Sequence, residues 1–178
     1  MNFLQSFVWG ALSAFFPLYA VKCGVLNPGY FFTAIAVMLL TGRIAGGRIL
    51  DLYSKEKILL SVLIIYVFVT GLLSISESLP MFIFTGLLWG TGGAFFYPAS
   101  IAYALEYADS SSGTAVGTVR AIMDLGLSLG PIVMGTVIPL TGYRAMFLCL
   151  AFICLVDLVY FYFYVRKKRA SQGRANYA

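Results

Sequence analysis

Long stretches of this chain carry no charge at all. Residues 1–21, 58–76, 78–105 and 125–143 run without a single Asp, Glu, Lys or Arg, and each is near the ~20 residues an α-helix needs to cross the hydrocarbon of a bilayer. Lipid offers no hydrogen bonds to an open backbone, so only helices and closed barrels span it. A barrel would show ~10-residue segments of alternating polarity, whereas these segments are apolar on every side. The expected fold class is therefore an all-α membrane protein. Composition agrees, with 61% hydrophobic and 11% charged residues where a soluble domain carries roughly 25% charge.

Turn and loop signals cut the chain into a bundle of six transmembrane helices. The first covers about 3–21 and the second 30–52, after the turn signal Asn27-Pro28-Gly29. The third covers 57–76. Glu77 and Pro80 mark the bend into a fourth at 79–107. A polar cluster at 109–113 caps a fifth helix reaching about 138, residues 139–142 make the last turn, and the sixth ends at 165. The expected organisation is a six-helix domain at 1–165 with a basic tail at 166–178.

An even number of crossings puts both termini on one side. That side would hold Arg48, Lys55, Lys57, Arg120 and the tail's Arg166, Lys167, Lys168, Arg169 and Arg174, against Lys22 and Arg144 opposite, with Arg43 inside the second helix. The positive-inside rule then makes both termini cytoplasmic, in a multi-pass protein of the cell membrane. The net charge of +5 is read as orientation, not as a nucleic-acid site. The first cation, Lys22, follows an apolar segment, so the first helix is read as retained and not as a signal peptide. Its missing basic flank raises the expectation of a longer chain upstream.

Catalysis finds no support. The chain has no histidine, no phosphate-binding loop and no nucleophile beside a base, and Cys23, Cys149 and Cys154 have no metal-site or disulfide spacing. Neither a cofactor nor a metal is expected.

Small residues recur four apart: Gly42 with Gly46, Gly86 with Gly90, Gly113 with Gly117, Gly126 with Gly130. This spacing lets helix backbones approach closely, either as plain packing or as sliding surfaces between moving bundles.

The inner end of the second helix reads Gly47-Arg48-Ile49-Leu50-Asp51, followed by Lys55 and Lys57. This resembles the loop motif of the major facilitator superfamily (MFS), with Leu52 and Ser54 where the family usually has a basic residue and Gly. In the fifth helix, Gly126, Gly130 and Pro131 resemble the glycine-proline motif of its exporters, with Thr136 replacing a second glycine. Segments around Phe16-Pro17-Leu18, Asn27-Pro28-Gly29 and Gly142-Tyr143-Arg144 extend the likeness over nearly the whole chain. Phe82 stands where an N-terminal half usually carries arginine. The chain thus resembles the C-terminal six-helix half of an MFS permease, built as a 3+3 inverted repeat and similar to sugar and drug efflux permeases.

Several roles follow from the resemblance. Gly47, Asp51, Lys55 and Lys57 would form a gating motif, with Asp51 either latching one conformation or sitting incidentally in a positive anchor. Trp9, Phe16, Trp89, Phe96 and Tyr97 would line the central cavity. A second six-helix half, from a homodimer or a separate N-terminal half, would complete the transporter, its contacts bringing Gly42, Gly46 and Asp51 against Gly126, Gly130 and Pro131.

Charge at membrane depth is costly and marks functional suspects. Arg120 and Asp124, four apart on the fifth helix, can pair on one face. Asp124 is the candidate proton carrier, the alternative being a permanent ion pair; Asp157 is a weaker candidate. The functional expectation is a secondary active efflux permease, working as an antiporter that moves a small organic solute against protons. The competing expectation is a non-transporting membrane protein, either a remnant or an assembly subunit.

Overall fold

The computed structural model describes residues 1–105 and 112–175, without the side chains of 45–51, 112 and 165–175. The described residues form helices and short turns: α1 (Asn2–Lys22), α2 (Gly29–Leu52), α3 (Lys55–Ile75), α4 (Leu79–Leu105) and α5 (Ser112–Ala175). The 21 residues of α1 rise about 30 Å, the thickness of the hydrocarbon. The long apolar helices and the absence of any strand among the described residues agree with the all-α expectation.

Sequence punctuation suggests a turn at 139–142, but the helix runs through Pro139 and departs from helical geometry only at Gly142, with φ 84° and ψ 171°. Positive φ is open to glycine without a Cβ clash. The break is required, because the apolar part of α5 spans 52 residues, which would rise ~78 Å as one rod.

Contacts with α1 show that the chain reverses at Gly142. Gly126 meets Phe3 and Phe7, Gly130 meets Phe7 and Ala11, and Gly135 meets Phe15, so the first arm, 112–141, runs parallel to α1. Beyond the break, Phe147 packs on Tyr19 and Asp157 returns to Gln5, so the second arm, 143–175, is antiparallel. With α5 broken at Gly142, the five labelled helices make six crossings.

The first arm of α5 packs on α1, α4 packs on α2, and α3 contacts both α4 and α5, with Tyr66 and Thr70 beside Cys154 of the second arm. Exchanging the first three crossings for the last three converts the α1–α5 pair into the α4–α2 pair, the contact scheme of a 3+3 repeat. The core is aromatic where α1, α2 and α4 meet. Phe16 stacks on Phe31 with centroids 3.8 Å apart and meets Phe82 edge-on at 5.1 Å.

The glycine notches are filled from within the chain. A Cβ on Gly126 would meet the carbonyl oxygen of Phe3, and one on Gly130 that of Phe7, while Gly42 abuts Ala94 and Gly90 lies on Ile35 of α2. This corrects the expectation that Gly42, Gly126 and Gly130 are held open for a partner half. Polar groups of the helix backbone pack with minimal separation only where no side chain intervenes. Gly113 and Gly117 have nothing within 4 Å of such a Cβ. Pro131 keeps helical φ/ψ within the first arm of α5, next to the Gly130 contact with α1.

Candidate functional site

Between α1, α4 and the first arm of α5 lies an open groove of about 330 Å³. Its floor is aromatic because α1 and α4 each bring a tryptophan to the same depth. Trp9 and Trp89 stack at 5.7 Å with planes 22° apart. Tyr66 reaches in from α3, 4.4 Å from Trp89 and 5.9 Å from Phe96. Such pairs contribute about 0.5–1.5 kcal/mol beyond their burial, so the floor is held in shape without a ligand.

The rim is polar. Arg120 Nη1 donates to the Tyr97 hydroxyl at 2.5 Å, and its guanidinium carbon lies 5.9 Å from the centre of that ring. Its Nε is 3.6 Å from Asp124 Oδ1, with the side chains 62% and 60% exposed. The pairing expected at i,i+4 is therefore present, but Arg120 is shared with Tyr97. Exposed pairs of this kind add little to stability, too little to lock a helix. Asp124 lies within a turn of Gly126, which packs on Phe3 and Phe7 at the start of α1, so the carboxylate stands at the groove mouth and not in a dry interior.

The groove brings together Trp9, Trp89, Phe96, Tyr97, Arg120 and Asp124. Phe16, also expected at the cavity, is fully buried in the Phe31–Phe82 cluster instead. Apolarity alone does not separate a lining ring from a core ring. Gly47 and Asp51 fall where side chains lie outside the described residues, as does Gly46. The backbone there is helical to Leu52. Lys55 and Lys57 begin α3 after a two-residue link, and Lys57 edges a second cleft with Tyr53 and Thr91.

Two features were not anticipated. The first is Gln5, which lines the groove and donates through Nε2 to Asp157 Oδ2 at 2.9 Å. A lone amide in an uncharged helix was the available signal. The second is a belt at the opposite end, where Arg144 pairs with Glu77, Lys22 lies 5.5 Å from the Tyr143 ring centre, and the Tyr19 hydroxyl donates to the Ser76 carbonyl at 2.7 Å. It ties the hairpin at Gly142 to α1 and to the α3–α4 corner.

Comparison with known proteins agrees with this architecture. A family model described as Major Facilitator Superfamily matches residues 1–176. The staphylopine export protein of Staphylococcus aureus is 31% identical over 162 residues, covering 88% of this chain and 41% of that protein. The methylenomycin A resistance protein of Bacillus subtilis is 29% identical over 122 residues, covering 67% of this chain and 25% of that protein. The chain thus spans less than half the length of either relative. With its apolar crossings, its repeat-like packing and a family match over almost its full length, this multi-pass membrane chain belongs to the Major Facilitator Superfamily.

Proposed function

We propose that this chain forms one six-helix half of an efflux transporter that carries a small amphipathic organic solute across the cell membrane in exchange for protons. The observation that carries the reading is the groove itself, a preformed aromatic floor with Arg120 and Asp124 at its rim and no wall on one side. An opposing six-helix half would supply that wall. Exposed apolar residues lie on two helices that also line the groove, Leu40 and Ile44 on α2 and Ile122 and Leu125 on α5, and they offer a surface on which such a half would seat. MFS halves are related by an axis along the membrane normal and rock about a midplane site. A relative named for staphylopine export and another for methylenomycin A resistance support outward transport.

In this reading the aromatic floor binds the apolar body of the solute and Arg120 its polar end. Asp124, beside Arg120 at the mouth, carries the proton, taking it up in one state of the transport cycle and giving it back in the other. Basic residues at Lys55, Lys57 and the tail support cytoplasmic termini.

The test is proton flux in liposomes containing the chain with its opposing half, with staphylopine, methylenomycin A and ethidium as probes. Solute-driven flux is expected in the native protein and lost in Asp124→Asn. Flux unchanged by that substitution would reject Asp124 as the carrier. No flux with any probe would count against the transport reading.

A further inference from the structure

Asp157 is fully buried in the second arm of α5, one turn from Cys154. An ionised carboxylate in an apolar interior is costly unless charged or hydrogen-bonding groups meet it. Few do. From α1 come the Gln5 amide, 2.9 Å from Oδ2, and the Met1 nitrogen, 3.2 Å from Oδ1. From α3, Tyr66 reaches Cys154, and Thr70 and Gln5 lie beside the same thiol.

The Gln5 amide is used on one side only. Its Nε2 donates to Asp157 while its Oε1 is buried with no partner. An amide has a donor end and an acceptor end. If Asp157 Oδ2 gains a proton, its O–H needs an acceptor, and a half-turn of the Gln5 amide presents Oε1 to it. Both protonation states are thus met by one side chain, and the unpaired oxygen acquires its partner only in the protonated state. Gln5 also lines the groove, one turn from Trp9.

We propose that Asp157 and Gln5 form a second proton-binding site, behind the groove and separate from Arg120 and Asp124, in which proton uptake at Asp157 turns the Gln5 amide and resets the groove floor at Trp9. The step adds one proton to a carboxylate and exchanges one hydrogen bond for another, with no further reactant. The inference uses the groove but not the identity of any solute.

The chain contains two tryptophans, and both line the groove, so tryptophan fluorescence excited at a wavelength that spares the 12 tyrosines reports on that floor. Titrating the solute-free full chain in lipid nanodiscs should give a one-proton fluorescence transition. The transition is expected to persist in Asp124→Asn and to disappear in Asp157→Asn and in Gln5→Leu. A flat native curve, survival in Asp157→Asn, or loss in Asp124→Asn would overturn the proposal. Carbon-labelled glutamine provides a check on the native protein: the chain has two glutamines, Gln5 and Gln172, and the side-chain carbonyl infrared component that is absent from Gln5→Leu should shift at the same midpoint, while an unmoved component would overturn the proposal. Loss of solute flux with an intact titration, or the converse, separates failure of the transport reading from failure of this one.

Discussion

Replacing Gly130 with alanine should separate α1 from the first arm of α5. The added Cβ would run into the Phe7 carbonyl oxygen and come within 3.0 Å of the Ala11 nitrogen. Both obstacles are backbone, so no rotamer change relieves the contact and the helices themselves must move. Overpacking of this kind costs typically 1–3 kcal/mol, opposed by up to ~1 kcal/mol from alanine's better helix propensity. Gly71→Ala is the matched control, since nothing lies within 4 Å of a Cβ there and only the propensity gain remains. Reversible unfolding in mixed micelles should therefore rank Gly71→Ala at or above the native protein and Gly130→Ala about 1–3 kcal/mol below Gly71→Ala. Equal stability of Gly130→Ala and Gly71→Ala would refute the intrachain notch and return Gly130 to a surface awaiting another half.

Phe16→Ala should lower stability by about 3–5 kcal/mol, as for other buried phenylalanines, measured by the same unfolding assay. Trp9→Ala should leave folding nearer native but weaken solute binding, with ~0.5–1.5 kcal/mol of stacking lost, read by calorimetry as a roughly two- to tenfold rise in Kd. At the opposite end, a double-mutant cycle on Glu77 and Arg144 should return under ~1 kcal/mol of coupling, because both side chains are more than half exposed. A larger coupling would show that this pair is shielded from water in the membrane.

What the residues disclose beforehand differs between fold and site. Uncharged length marked four of the six crossings because a bilayer imposes that length, while turn signals delimited the second and the sixth, and the Asn27-Pro28-Gly29 signal became a turn with Asn27 Oδ1 accepting from the Gly29 N–H at 3.0 Å. The exact place of the last turn was less legible. Proline removes a donor but tolerates helical φ, so Pro139 stayed in the helix and Gly142 made the break. Glycine spacing announced close packing without naming the neighbour: the same notch serves an intrachain or an interchain contact, and only coordinates decide which. Trp9, Trp89 and Tyr97 had no sequence property separating them from Phe16, since all sit in apolar helices and differ by which face meets α5.

The filled notches reshape the way two halves are expected to meet. With Gly126 and Gly130 occupied by α1 and Gly42 by α4, the surfaces left for a partner are the side-chain faces of α2 and the first arm of α5, carrying Leu40, Ile44, Ile122 and Leu125. Backbone contact in membranes is close and intolerant of sliding, whereas interdigitated aliphatic side chains repack at modest cost. On the proposed two-half reading, a division follows between rigid and movable joints: the glycine seams inside this half would make it a solid body, and side-chain seams against a second half would leave it free to rock. Bulky substitutions should then act differently at the two kinds of seam. At Gly130 they should lower the stability of this half, while at Leu125→Trp they should spare its folding and alter solute flux. Unfolding caused by Leu125→Trp would refute that division.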